Sequence, residues 1–117
     1  MYKWGFATNA GDTNLWIPTA GTRWRLLGFT IFMGGNVTLA AAGPLAVELR
    51  DGATQMFNWA THVSNVVVVG QVYISKTVVF ADNGILAAAI NTDLHINLSA
   101  ATAAGGVSVT AWGTEEV

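Results

Sequence analysis

The chain contains no cysteine. Disulfides, thiolate metal sites and cysteine nucleophiles are therefore excluded together, which suits a protein made in the cytosol. Charge is scarce as well: Lys, Arg, Asp and Glu make up 10% of the 117 residues, where soluble domains carry about 25%. Mass scaling gives a folded surface of roughly 6,100 Å², or about one formal charge per ~500 Å². Such a surface is poorly guarded against association. Either much of it is covered in a permanent assembly, or it stays wet through Thr, Asn, Ser and Gly; the assembly reading is the one carried forward.

Long hydrophobic runs are missing too. The oiliest stretch, Val66 to Ile74, is interrupted by Gly70 and Gln71, far short of the ~20 apolar residues of a membrane helix. Met1 to Phe6 has one lysine and no apolar core behind it, so it does not read as a secretory signal. Five basic residues against seven acids leave no electrostatic footprint for nucleic acid. No membrane and no nucleic acid are expected as partners.

What is present reads as strands. Arg23 to Met33 is the longest, with Arg25, Leu27, Phe29, Ile31 and Met33 on one face and Trp24, Leu26, Gly28, Thr30 and Phe32 on the other. Both sets are largely apolar, which predicts cover on both sides. Leu45 to Arg50, Asp93 to Ser99 and Val107 to Trp112 alternate cleanly. Asp51-Gly52 signals a hairpin whose partner is Gln55 to Thr61, and Asp82-Asn83-Gly84 and Gly34-Gly35-Asn36 signal turns. Thr8 to Asn14 reads as a loop, and Leu15 to Ile17 as a short edge strand stopped by Pro18. Val66 to Val69 and Val72 to Ile74 read as one buried strand bent at Gly70, followed by Thr77 to Phe80. Ile85 to Ile90 fits a strand or a helical turn, and Ala100 to Gly106 a loop. No sustained helical period occurs. The expected fold is all-β, an antiparallel sandwich of about eight strands resembling a jelly roll, with an N-terminal strand or arm over 1–22, the sandwich over 23–113 and a solvated tail over 114–117.

Catalytic groups are few. The histidines are His62 and His95, and Asp51 and Asp82 sit in turns where aspartate is expected for backbone reasons. Asp93-Leu94-His95 places a carboxylate and an imidazole on one strand face, but two ligands do not make a metal site. No catalytic residue, metal or cofactor is assigned, and the chain is expected not to be an enzyme. The five tryptophans say more, because so small a core cannot hold them all. Trp4, Phe6, Trp16, Trp24, Phe32 and Trp112 are the candidate interface residues. Asn58 beside Trp59 is the local hint of the alternative, a sugar-stacking platform.

PTAGTRWRLLGFTI, LAVELRDG and the closing NGILAAAINTDLHINLSAATAAGGVSVTAWG resemble, in that order, strands of the small β-sandwich head proteins of tailed bacteriophages. The resemblance spans Ile17 to Gly113. It implies a jelly-roll-like decoration or cement protein of the virion, made in the host cytoplasm, commonly a homotrimer seated on the major capsid protein. It carries over no catalytic residue. A carbohydrate-binding module or receptor-binding tip, and a minor tail or spike subunit, are the other readings.

Overall fold

The computed structural model describes residues 1–33, 37–39, 43–63 and 74–117. They form β1 (Tyr2–Ala7), β2 (Gly11–Trp16), β3 (Arg23–Met33), β4 (Thr38–Leu39), β5 (Gly43–Asp51), β6 (Thr54–Val63), β7 (Ile74–Val79), β8 (Ile85–Leu86), β9 (Leu94–Leu98), β10 (Thr102–Ala104) and β11 (Val107–Glu116). No helix occurs among the described residues. The first sheet runs β1-β11-β3-β7, with β8 also on β3; the second runs β2-β9-β5-β6; β10 and β4 form a separate ribbon. Every pairing is antiparallel.

Eight strands build the two sheets once the short β4, β8 and β10 are set aside. Among those eight the first pairs the last, the second the seventh, the third the sixth and the fourth the fifth. A long hairpin folded over on itself gives that order. The remaining contacts, β11 on β3 and β9 on β5, close it into a jelly roll. The expected all-β antiparallel sandwich is therefore the fold observed.

The core lies between the sheets, and strand alternation fills it. Leu45, Val47 and Leu49 of β5, Leu94, Ile96 and Leu98 of β9, and Val107, Val109 and Ala111 of β11 are buried, while their neighbours face out. β3 departs from simple alternation. Trp112 pairs Gly28 but Gly113 pairs Leu26, so β3 carries one extra residue at Leu27. Such a bulge resets which parity faces inward. Trp24 and Leu26 point into the core before it; Phe29, Ile31 and Met33 do so after it.

On this geometry most of the apolar residues on both sides of β3 need no second cover, and Phe32 is left exposed on the outer face. The strand's apolar residues fall in two opposite sets because it changes parity midway, and both sets reach the same core. Gly113 makes the crossing possible, since a Cβ there would lie 1.9 Å from the Arg25 carbonyl oxygen. β2 has a bulge of the same kind at Leu15, between the Asn14–His95 and Trp16–Leu94 pairs. It turns Leu15 and Trp16 inward together.

Other expectations meet the structure as follows. Gly11 to Asn14 is strand rather than loop, because β9 offers it a partner that composition does not reveal. The first 22 residues, expected as a strand or an arm, supply an outer strand to each sheet, β1 and β2. The tail at 114–117 is ordered into β11 as far as Glu116, which pairs Arg23. Ile85–Leu86 is a short strand on β3, and Thr102–Ala104 is strand where a loop was expected. The turn at Gly34 to Asn36 and the bent strand expected over Val66 to Ile74, all but Ile74, lie outside the described residues.

Candidate functional site

Residues directly opposite in a sheet share a face, so the registers assemble the outer face of the first sheet row by row. Tyr2, Trp112, Gly28 and Val79 form one row across β1, β11, β3 and β7. Trp4, Thr110, Thr30 and Thr77 form the next, and Phe6, Ser108, Phe32 and Ser75 the third. None of these twelve is charged. Tyr2 is 76% exposed, Trp4 65%, Phe6 44%, Phe32 42% and Val79 71%. These are five of the nine large hydrophobic residues that the described surface exposes.

The rings are organised by close backbone approach. A Cβ on Gly28 would stand 2.3 Å from Cζ2 and 2.7 Å from Cε2 of Trp112, so the indole lies directly over the glycine of the neighbouring strand. Tyr2 tilts against Trp112 with ring centroids 6.5 Å apart, and Trp4 stacks with Phe6 at 6.2 Å and 15°. Between the rings, the Thr30 and Thr77 hydroxyls hydrogen-bond at 3.0 Å. The result is a ring-studded stretch of sheet face, uncharged over these three rows.

Trp4, Phe6, Phe32 and Trp112 from the sequence reading are thus brought together on one face. Trp16 and Trp24 are not: both are fully buried. The Trp16 indole N–H donates to Glu115 Oε1 at 2.8 Å and that of Trp24 to the Thr92 carbonyl at 3.1 Å. A ring whose apolar area and polar N–H are both satisfied inside its own chain has nothing left for a partner, which corrects those two assignments. Tyr2 and Val79 join the face without having been singled out. Tyr2-x-Trp4-x-Phe6 is a period-two aromatic run that signals one strand face, whereas nothing local chooses between Val78 and Val79.

Asn58 and Trp59 do not form a platform. As strand neighbours they point to opposite faces, Asn58 to solvent and Trp59 against the core. Asn58 belongs instead to the outer face of the second sheet, where Asp12, Asn97, Glu48 and Asn58 make one row and Asn14, His95, Arg50 and Gln55 the next. That face is knitted together: Asn97 donates to Asp12 at 2.8 Å, Asn58 to Glu48 at 3.1 Å, and Arg50 Nε to Glu48 at 2.7 Å. His95 Nδ1 lies 3.1 Å from the Gly52 carbonyl oxygen, and its ring stands between Asp12 at 3.9 Å and Asp93 at 4.0 Å. Among the described residues no group of three or more His, Cys, Asp or Glu is placed to hold a metal ion.

Glu115 and Glu116, expected to be solvated, clasp the end of the sandwich. The Trp16 indole, with help from Thr19, holds the Glu115 carboxyl below its ordinary range. Arg25 does the same for Glu116 through a two-pronged pairing, and its own guanidinium is shifted up in return. The sequence offers no local sign of these partners, which are 91 and 99 residues away.

Compared with known protein families, curated proteins and solved structures, the chain matches none.

Proposed function

We propose that this chain is a non-enzymatic assembly protein of a virion, a decoration or cement subunit that sits on a phage head together with further copies of itself. One observation carries the reading: the outer face of the first sheet is uncharged over three rows and gathers most of the exposed rings. Monomeric proteins seldom leave such a patch contiguous without a partner for it. The sparse charge and the jelly-roll winding, a fold shared by capsid proteins, support the same reading.

The mechanism is mechanical. Rings laid across junctions between major capsid proteins add buried apolar area, at about 25 cal/mol per Å², that a bare shell lacks. Aromatic anchors let an interface of ordinary size suffice. The sugar-binding alternative loses its local support, since Asn58 and Trp59 face apart. The same face would serve a minor tail or spike subunit.

The test is co-sedimentation of purified protein with undecorated phage heads. Saturable binding is expected, and Trp4→Thr with Phe32→Thr should abolish it while the thermal midpoint stays put. Binding that survives the double substitution, or a saturable response on a glycan array, would overturn the reading. Electron microscopy of labelled protein on particles separates head from tail.

A further inference from the structure

The first sheet ends at β1, and the hydrogen-bond phase of that strand says what its free side offers. Gly113 N–H donates to the Met1 carbonyl at 3.0 Å, and the register continues as Tyr2–Trp112 and Lys3–Ala111. In an antiparallel ladder, bonded and non-bonded pairs alternate. Lys3, Gly5 and Ala7 therefore bond to β11, while the N–H and C=O groups of Tyr2, Trp4 and Phe6 point away from the sheet. The residues that present open backbone groups are the same three that carry the exposed rings.

Natural sheets blunt such edges with bulges, charges or proline. The other outer strands follow the rule: β2 is bulged at Leu15, β6 at Met56, and β7 carries the exposed Lys76. β1 keeps an unbroken register from Tyr2 to Ala7. Its one charge, Lys3, is on the inward-facing side with Nζ 5.8 Å from the Trp16 ring centroid. Among the described edges, β1 is the one left fit for pairing.

We propose that two copies of the chain pair antiparallel through β1 about a two-fold axis at Trp4, joining their first sheets into one continuous sheet. Tyr2 then stands opposite the partner's Phe6, Trp4 opposite the partner's Trp4, and Lys3 opposite the partner's Gly5. Every open backbone group of Tyr2, Trp4 and Phe6 is satisfied, the rings meet as cross-strand aromatic pairs on a single face, and no lysine meets a lysine. A two-fold contact of this kind is self-complementary, which a chain pairing with itself requires.

At their observed exposures the three rings offer roughly 350 Å² per copy, counting ~200 Å² for a whole ring. With the strand backbone added, the contact falls at the small end of specific interfaces, the class of weak, reversible encounters. The inference rests on the assembly reading for the role of the rings, and it names a second copy as the partner on that edge. Its test involves no phage particle, so failure here and failure to bind heads are read separately.

The absence of native cysteine makes cross-linking clean. A hydrogen-bonded antiparallel pair sets Cα atoms about 5.5 Å apart, within disulfide reach. Trp4→Cys should oxidise to a dimer by itself. Tyr2→Cys and Phe6→Cys should each stay monomeric alone, since like positions are then more than ~13 Å apart, and should cross-link when mixed. Sedimentation velocity of the unaltered chain should show a monomer–dimer equilibrium. Trp4→Pro should abolish it without lowering the melting temperature, because the lost N–H points away from β11. A monomer up to several hundred micromolar, a closed trimer, or self-cross-linking of Tyr2→Cys would each overturn the proposal.

Discussion

The two outer faces of this sandwich enclose the same core and share almost no chemistry. Across the first sheet lie three rows of rings, threonines and serines without a charge. Across the second lie Asp12, Glu48, Arg50 and His95 among four amide side chains, with Asn97 bonded to Asp12 and both Asn58 and Arg50 bonded to Glu48. Each strand contributes one inward and one outward set, so the interior fixes half of the residues and leaves the other half free. Low overall charge is therefore a matter of allocation. The second face carries charges that hydrogen-bond within it; the three rows of the first carry rings and hydroxyls.

The largest effect should come from removing what turns β3 between its two parities. Gly113→Ala drives a methyl into the Arg25 carbonyl, and a loss of about 3 kcal/mol is expected in denaturant unfolding. Both faces would fail together, since the bulge places the rings on one side and the core on the other. Next in size is Glu115→Ala, which leaves the buried Trp16 N–H unpaired. It should cost about 2 kcal/mol, and Glu115→Gln clearly less because an acceptor remains.

Acid sharpens the contrast, because the three rows of rings hold no carboxylate and no imidazole. Glu115 and Glu116 have carboxyls held below the ordinary value of 4.5 in the folded chain. A depressed carboxyl contributes stability that is fully present above the unfolded value and is lost as pH falls through the folded one. Thermal midpoints should therefore hold from pH 7 to about 5 and decline below about 4.5. In the Glu115→Gln, Glu116→Gln double variant the acid limb of that decline should be shallower. An equally steep limb would remove the clasp from the account.

Smaller effects separate the faces most directly. Glu48→Ala strips partners from Arg50 and Asn58 on the second face and should cost about 1 kcal/mol while leaving self-association untouched. Trp4→Thr should do the reverse, shifting unfolding by less than about 0.5 kcal/mol while weakening association. Thr30→Val, which removes one exposed hydroxyl pair, should be the smallest, within about 0.5 kcal/mol in either direction. If Glu48→Ala changed the oligomer and Trp4→Thr did not, the faces would have to be exchanged.

Much of this architecture is legible in single strands. Leu45-Val47-Leu49, Leu94-Ile96-Leu98 and Val107-Val109-Ala111 announce their buried faces through strict alternation, and Asp51-Gly52 announces the hairpin between β5 and β6. Tyr2, Trp4 and Phe6 likewise announce a face. Legibility fails at the bulges. Whether Trp24 and Phe29 share a side depends on Leu27 being surplus, and that depends on Gly113 lying against Leu26, 87 positions along the chain. At Trp16 too the inward turn is set at a distance, since Leu15 is surplus only against β9.

The sequence alone determined the class of fold, the alternation that fills the core and the poverty of charge, because each is a property of neighbouring residues or of composition. Only the tertiary structure decided which tryptophans are spent in the core, that Glu115 and Glu116 are clasps, and that the uncharged rings converge on one face. Those outcomes depend on strand register, and register is settled between segments far apart in the chain, where a one-residue slip exchanges inside for outside.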